Sequence, residues 1–585
     1  MSKKETLSAR YADYFTRIGD KLNSGTVLRD LPEWIARNTT LNGSPFSFKD
    51  HEFQLDILRD QAPEIDCMKC SQIGLSEIQV RASLGIASIM TGKTLIYVMP
   101  HNRMVSKFAK SRFDPVIQGS SKLRTQMMNG VDSSEMKQIG SSFILFAGAE
   151  ATSSAISTPA QILIIDEYDF CNMTVLGKFS SRLRHAMKEA LVRRFSTPTV
   201  SNYGIARNYK FTDKKRYFVK CLHCGTKQAP SFATSVVIPG FNKDFNEIDK
   251  DDFLYPQYKF DDAYLRCEKC GKSLEESFGI PELREWVPEN SLIQRRSGYA
   301  IKPFDLIATN PTVSIIQQRL GYNNDQDYWN FVHGEPRDTD QNKVNDAMVE
   351  ACTVGEQLLE GTGWYIGMDV GKICHFMVGK RIGPKRIVAF CGKIRLTEGD
   401  LKKQAIEIAN LYGFIRFVID AGPDVSLPAG LQTHFGISYV NPCVYVKPKK
   451  GEMTWYTYKD DTGVVNASRT KAFDHYVETI NKGKWVYPRS DIMKEVRAHM
   501  GEMVRVETAD EEGELTATWE SASTSTHFFH AGFYLHLAME MDEEGEGAAL
   551  HSPVGVSGVR IGSALDAKKP LDAQSMEIAK LLSRM

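Results

Sequence analysis

Asp166 and Glu167 stand side by side where the apolar run Ile162-Leu-Ile-Ile165 ends. A carboxylate at the C-terminal edge of a buried strand can hold Mg²⁺ on the phosphates of a nucleotide. A glutamate beside it can polarise an attacking water. Four consecutive apolar residues, mostly β-branched, predict a strand buried on both faces. The plain alternative is a buried strand that ends in two solvated acids. The rest of the chain has to supply a phosphate-binding loop for the first reading to hold.

That loop needs a strand, a tight glycine-containing turn and a helix, so that backbone N–H groups and the helix start face the phosphates. Thr91-Gly92-Lys93-Thr94 has the right residue types in the wrong order, between a helical pattern and a strand. It reads as a helix end followed by a turn. Lys69-Cys-Ser-Gln-Ile-Gly74-Leu-Ser76 has the right order. Glu64–Met68 predicts a short strand, and Ile78, Ala82, Ile86 and Ile89 recur at helical spacing. Gly74 permits the turn, Ser76 can reach Mg²⁺, and Lys69 can approach the β- and γ-phosphates from before the loop. The alternative is a strand, a turn and a helix with Ser76 as N-cap. Cys67 and Cys70 read as packing residues. Downstream, Ser196-Thr197-Pro198 follows a strand beginning near Leu191. In strand–loop ATPases such a hydroxyl-rich loop relays hydrolysis to the bound polymer; taken alone it is a turn.

Two Cys-x-x-Cys pairs, Cys221/Cys224 and Cys267/Cys270, each carry a trailing glycine. Thiolates so spaced can converge on one tetrahedral Zn²⁺, and four of them close the coordination sphere, so a structural metal is expected. Further on, Trp364–Gly371 predicts a strand with Asp369 within it. Strands from Phe376 and through Ile387, a helix from Leu401 to Leu411 and a strand Phe414–Asp420 follow. That succession is the ribonuclease-H-like order, in which the first and fourth strands are neighbours. It would bring Asp369 and Asp420 together, where two anions are costly unless a cation joins them. Two-metal hydrolysis of a phosphodiester uses such carboxylates. A third ligand is expected on a late helix, His527-Phe-Phe-His530, which offers no acid on its first two turns. His530 is the candidate, and imidazole suits Mn²⁺ better than Mg²⁺.

A chain of 585 residues is long enough for two or three domains. Lys+Arg and Asp+Glu are 72 each, so nucleic-acid contact must rely on local basic patches. No apolar run is long enough to span a bilayer, the start lacks a signal-peptide core, and the cysteines suit a reducing compartment; a cytosolic protein without membrane contact is expected. The patterns divide the chain into an N-terminal helical segment (1–60), an α/β P-loop ATPase core with a parallel sheet (61–210) and a zinc-ribbon-like insertion (211–285). A connector completing the ATPase domain (286–360), a ribonuclease-H-like nuclease (361–541) and a mobile tail (542–585) follow. Residues 572–585 carry a loose apolar stripe suited to docking on a partner.

An ATPase core, a Cys₄ knuckle and a nuclease core in this order resemble the large subunit of lambda-type phage terminases, over roughly residues 40–540. The carriers are Phe46-Ser-Phe48, the Lys69–Ser76 loop, Arg112-Phe-Asp-Pro115, Asp166-Glu167, Ser196-Thr-Pro198, the cysteine quartet, Phe331-Val-His-Gly334-Glu-Pro, Asp369 and Asp420. The resemblance implies that Lys69 and Ser76 bind ATP·Mg²⁺, that Phe53 and Gln54 contact adenine, and that Arg103 or Arg112 senses the γ-phosphate. Glu167 would activate water, and Asp369 and Asp420 would be catalytic with Mg²⁺ or Mn²⁺. It further implies double-stranded DNA, a prohead portal protein and a small terminase subunit as partners, and a homo-oligomeric ring on the portal. The expected location is the host cytoplasm and, transiently, the portal vertex, not the mature virion. One departure stands out: the family usually has an aspartate where this chain has His530. Two rival readings are a helicase-like or restriction-type ATPase–nuclease acting on free DNA, and a zinc-ribbon DNA-binding scaffold with dead sites.

Overall fold

The computed structural model describes residues 28–542 except 151–157, 187–188, 307–310, 340–341, 355–362, 447–453, 510–514 and 522–524. The expected terminal helix at 572–585 lies outside the described residues. The chain divides into two compact units, Met1–Asp338 with Glu507–Thr516, and Thr339–Val506 with Ala517–Met585. None of the described helices is long and apolar enough to cross a membrane.

The first unit is built on a ten-stranded sheet. Its labelled elements are α1 (Phe53–Arg59), β1 (Glu64–Lys69), α2 (Leu75–Ile89), β2 (Thr94–Met99), β3 (Met136–Ile139), β4 (Ser142–Gly148), β5 (Ile162–Asp166) and β6 (Leu191–Ser196). After the short helix α3 (Gly204–Lys210) come β7 (Lys215–Lys220), β8 (Lys227–Gln228), β9 (Arg284–Pro288) and β10 (Arg296–Ile301). The strand order is β8-β7-β10-β1-β6-β5-β2-β4-β3, with β9 paired to β7. The run from β7 to β4 is parallel, whereas β3, β8 and β9 pair antiparallel at the margins. The sheet is therefore mixed, where a parallel one was expected. Its central strands β2 and β5 are apolar and buried, as parallel pairing demands, and the β3–β4 and β7–β8 pairs at its margins are hairpins that need no crossover.

Strand β6 lies between β1 and β5, so the phosphate-loop strand and the Asp166 strand are one strand apart. Their C-terminal ends open on the same edge, the usual place for a ligand in an open α/β sheet. Asp66 is fully buried inside β1, where Arg194 and Arg296 pair with it at 3.2 and 2.9 Å. Between β7 and β9 the cysteine-bearing insertion folds around its own core of Phe232, Phe260, Leu265 and Phe278.

The second unit carries a nine-stranded sheet. Its principal elements are β11 (Trp364–Asp369), β12 (Ile373–Ile382), β13 (Lys385–Arg395), α4 (Leu401–Tyr412), β14 (Phe414–Asp420), α5 (Ser426–Phe435) and β15 (Val440–Val446). They are followed by β16 (Tyr456–Lys459), β17 (Val464–Ser468), α6 (Arg469–Asn481), β18 (Trp485–Pro488), α7 (Met493–Gly501) and α8 (His527–Glu540). From the two-residue edge strand Thr353–Val354 the order is β18-β13-β12-β11-β14-β15-β17-β16. The first and fourth strands are parallel neighbours, as the element succession predicts.

Helix α8 lies directly on β11. A Cβ on Gly367 would come within 2.1 Å of the Leu535 amide nitrogen, so only glycine lets the helix backbone come this close. The helix is apolar on nearly all sides because it is buried between the sheet and α6 and α7. This close seat places its first residue, His527, at the end of β11 that carries Asp369.

Candidate active sites

In the first unit, Lys69 ends β1 and Gly74 precedes α2 with φ +76°. A Cβ at Gly74 would meet Gln54 Nε2 at 3.0 Å, so the turn is both left-handed and tight. Lys69, Gly74, Ser76, Asp166, Glu167 and Arg112 line one cavity of about 800 Å³. Lys69 Nζ donates to Glu167 Oε1 at 3.3 Å, and Ser76 Oγ donates to Asp166 Oδ1 at 3.3 Å. The Tyr97 hydroxyl donates to Asp166 Oδ2 at 2.9 Å.

Burial, reinforced by the Glu167 charge, pushes the Asp166 carboxyl up to about 7 although Lys69 opposes the shift. Burial would lower the Lys69 ammonium, but Glu167 and Asp166 outweigh it and raise the group. A buried carboxylate and a hydroxyl at hydrogen-bond distance form an oxygen donor pair suited to Mg²⁺. Asp166 and Ser76 thus fit the metal of a nucleotide complex, with Lys69 placed for its phosphates.

Arg112 lines the cavity and pairs with Glu77 at 3.3 Å; Arg103 is not among the lining residues. Phe53 is buried against Tyr217, with its carbonyl accepting from Trp286 Nε1, and Gln54 Nε2 donates to the Ile73 carbonyl. Neither side chain is among those lining the cavity; both stand behind the loop and brace it, and contact with adenine stays an expectation of the resemblance. Their aromatic and amide types suit either task, which is why sequence could not separate them. Gly92-Lys93 is a turn between α2 and β2, with Lys93 paired to Glu189 at 3.4 Å, as expected of the decoy. Cys67 and Cys70 are buried, and burial raises both thiols.

Asp169, three residues beyond Asp166, carries no motif of its own. It is fully buried, and its Oδ2 accepts from the Thr199 amide and hydroxyl at 3.0 Å each. Its Oδ1 accepts from the Ile205 amide at 2.6 Å, and its own amide donates to Ser196 Oγ at 3.2 Å. Burial raises the carboxyl to about 7 against these donors. Asp169 therefore ties the segment after Glu167 to the Ser196–Thr199 loop. Among the described residues, the buried Thr197 hydroxyl has no protein partner.

Gly334 belongs to the Phe331–Pro336 motif. A Cβ there would approach the Cys70 amide nitrogen to 2.5 Å, and the neighbouring Phe331 carbonyl accepts from the Ser71 amide at 2.7 Å. This connector forms the floor of the phosphate loop.

The four cysteines converge. Cys221 Sγ lies 3.8 Å from Cys270 Sγ, and Cys224 Sγ lies 3.6 Å from Cys267 Sγ. Four sulfurs at about 2.3 Å from a tetrahedral Zn²⁺ would be about 3.8 Å apart. Gly225 and Gly271 both adopt φ +74°, and each donates its amide back to the first cysteine of its pair at 2.9 Å. Two matching knuckles thus present four thiols at the spacing that a zinc ion requires.

In the second unit, Met368 pairs with Ile419, which sets Asp369 and Asp420, the next residue on each strand, side by side. Burial raises the Asp420 carboxyl to about 6; the Asp369 charge adds to this, and hydrogen bonds from Gly422 and Tyr534 oppose it. Asp369 pairs across the β11–β12 hairpin with His375, and His527 Nδ1 lies 2.8 Å from Asp369 Oδ2. That hydrogen bond raises the His527 imidazole against burial.

His530, expected as the third ligand, is not the histidine on Asp369. It sits one helical turn deeper, Nδ1 lies 3.3 Å from the Tyr445 hydroxyl, and Tyr445 donates to Tyr534 at 3.1 Å. Desolvation among Tyr445, Phe473 and Phe529 lowers it to about 4. Because Tyr534 reaches Asp420, His530 is linked to that acid only through two tyrosines. The close seat of α8 brings its first residue, rather than its fourth, within hydrogen-bond distance of Asp369. His375 could have been found in the sequence: a tight hairpin after Asp369 returns the chain opposite it.

These two centres define a P-loop nucleotide unit with a Cys₄ insertion and an acid-bearing unit of ribonuclease-H-like strand order. Residues 54–284 match the family model of the phage terminase large subunit gpA, ATPase domain. Over that segment the chain is similar to the ATPase domain of phage terminase large subunits of gpA type. No curated protein matches the chain.

Among solved structures, the large terminase of bacteriophage HK97 is similar at 10% identity and a TM-score of 0.46, covering 87% of this chain and 99% of that one. The large terminase ATPase domain of Thermus phage P74-26 is similar at 11% identity and a TM-score of 0.29, covering 48% and 92%. The P22 large terminase nuclease domain is similar at 12% identity and a TM-score of 0.20, covering 34% and 94%.

Proposed function

We propose that the chain is a viral DNA-packaging motor and endonuclease, in which ATP hydrolysis drives double-stranded DNA into a prohead and the second unit cuts the concatemer. The observation that carries this reading is the joint placement of Lys69, Ser76, Asp166 and Glu167 on one cavity, within a segment matching a terminase ATPase domain. Asp166 and Ser76 would hold Mg²⁺, which on binding neutralises phosphate charge. Lys69 orients the β- and γ-phosphates, Glu167 takes the proton of the attacking water, and Arg112 offsets charge developing on the γ-phosphoryl group. Glu167 is held by Lys69 at 3.3 Å. An incoming phosphate competes for that lysine and releases the glutamate to the water.

In the second unit Asp369 and Asp420 would hold one or two divalent ions, whose chemistry is to activate a water and stabilise the leaving oxygen. The Cys₄ knuckle would hold a structural Zn²⁺. A portal protein, a small terminase subunit and a ring of like subunits are the partners this function calls for, in the host cytoplasm and at the portal vertex.

The deciding experiment is a DNA-stimulated ATPase assay run beside plasmid cleavage with Mg²⁺ or Mn²⁺. ATP-dependent strand separation by the isolated chain would favour the helicase-like reading. Absence of both activities would favour an inert scaffold.

A further inference from the structure

We infer that the second unit carries a nitrogen-rich site for a divalent transition-metal ion, formed by Asp369, His375 and His527. This rests on reading Asp369 and Asp420 as the nuclease centre, and it names the ligands and the class of ion. One ligand atom from each of the three residues falls within 4.8 Å of the others. The shortest edge, 2.8 Å between His527 Nδ1 and Asp369 Oδ2, is close to that of two adjacent ligands on an ion with bonds of about 2.1 Å.

His375 supplies the independent sign. Its ring is 4% exposed and its Nδ1 has no hydrogen-bond partner among the described residues. A buried ring nitrogen left without a partner is costly, and a metal is a ligand that would satisfy the imidazole. The His375 and His527 rings stack, with centroids 4.7 Å apart and planes 8° from parallel, so the two imidazoles are neighbours and one must turn about its Cβ–Cγ bond for both to face one ion.

A second group, His375 with Glu495 and His499, adjoins the first. Its geometry suits support better than ligation. His499 Nδ1 accepts from the Phe528 amide at 3.3 Å, which leaves the neutral ring's proton on Nε2, facing Glu495 Oε1 at 3.9 Å. Lys393 fixes the other oxygen of Glu495 at 2.7 Å. His499 and Glu495 therefore form the wall against which His375 is held, and the ion lies on the Asp369 side. Two imidazoles with one carboxylate favour Mn²⁺, Co²⁺ or Zn²⁺ over Mg²⁺, which prefers oxygen ligands and retains its waters.

The test is Mn²⁺ binding to the full chain, its Cys₄ site first loaded with zinc, followed by the loss of the free-Mn²⁺ electron paramagnetic resonance signal and by competition with Mg²⁺. His375→Gln and His527→Gln should each weaken Mn²⁺ binding by about tenfold or more while the thermal transition and ATPase rate persist. His530→Gln should leave binding unchanged. His527→Asp should narrow the preference for Mn²⁺ over Mg²⁺, in binding and in cleavage. Wild-type Mn²⁺ affinity in both glutamine variants, with their folding intact, overturns the proposal. Failure of the underlying nuclease reading shows differently: Asp369→Asn and Asp420→Asn would then cleave DNA as the wild type does.

Discussion

In the nucleotide cavity the positive charge opposite Asp166 and Glu167 is a lysine held in place by the chain itself. At the end of β11 the acids face imidazoles, whose charge depends on pH and on what they ligate. Lys69 is buried and pairs with Glu167 at 3.3 Å, while His527 meets Asp369 at 2.8 Å with its side chain 42% exposed. A permanent cation lets the first centre rest partly neutralised and respond to a competing phosphate. A conditional one makes the second centre responsive to protons and metal. Two carboxylate pairs at strand ends can therefore serve opposite modes of control, set by the residue types around them.

The comparison breaks most visibly if the centres are not separable. Glu167→Gln should cut ATP turnover by about 10²- to 10⁴-fold while leaving metal-dependent cleavage intact. Asp369→Ala and Asp420→Ala should abolish cleavage and spare ATP turnover, as measured by paired phosphate-release and plasmid-nicking assays. A mutation that silences both activities would merge the two centres.

Arg112→Ala should lower turnover by about 10³-fold if its guanidinium acts on the γ-phosphoryl group, whereas Arg103→Ala should stay near wild type. Equal rates for the two variants would remove Arg112 from the mechanism.

The proton dependence sharpens the contrast. Asp420 is raised from 3.8 to about 6, so the folded, metal-free unit binds that proton more tightly than the unfolded chain. Its contribution to stability is therefore present below about pH 4 and is lost as pH rises through about 6. Added Mn²⁺ should restore stability above that window, and cleavage should decline toward acid pH, where protons compete with the ion for its ligands. Thermal melts and nicking rates across pH 4.5–8 check both; Asp420→Asn should flatten the metal-free melts.

Smaller effects are expected away from the reacting groups. About one Zn²⁺ per chain should be found by metal analysis, and chelation should loosen the insertion before it disturbs the ATPase core. Asp169→Ala strands three buried donors and should cost about 3 kcal/mol in denaturant unfolding of the first unit. Lys93→Ala, in the decoy loop, should change nucleotide binding by less than twofold, because its partner Glu189 is a surface acid.

Much of this arrangement was legible in the residues. The β1 and β5 strands, the Gly74 turn and the adjacency of β11 and β14 follow from apolar runs, glycine placement and element succession. What escaped was whatever depends on the angle at which two elements meet. His527 and His530 are one turn apart on the same helix, and only the close seat of α8 on Gly367 selects between them. That Phe53 packs on Tyr217 was not legible, because an aromatic ring serves a core as readily as a ligand. Asp169 was masked by two more conspicuous acids, and its partners Thr199 and Ile205 belong to segments whose approach no local pattern records.

The floor that Gly334 and Phe331 provide beneath the phosphate loop bears on how the nucleotide site comes into being. Strand β1, which presents Lys69, is completed on one side by β10, Arg296–Ile301. The Ser71 amide donates to the Phe331 carbonyl, more than two hundred and fifty residues downstream. If this cavity is the ATP site, a ribosome must deliver residue 334 before the loop is complete, although Lys69 and Ser76 emerge far earlier. The same holds at the bench. A fragment trimmed to the 54–284 segment recognised as the ATPase domain lacks both β10 and the floor, and should be recovered as an incompletely folded chain without a working loop.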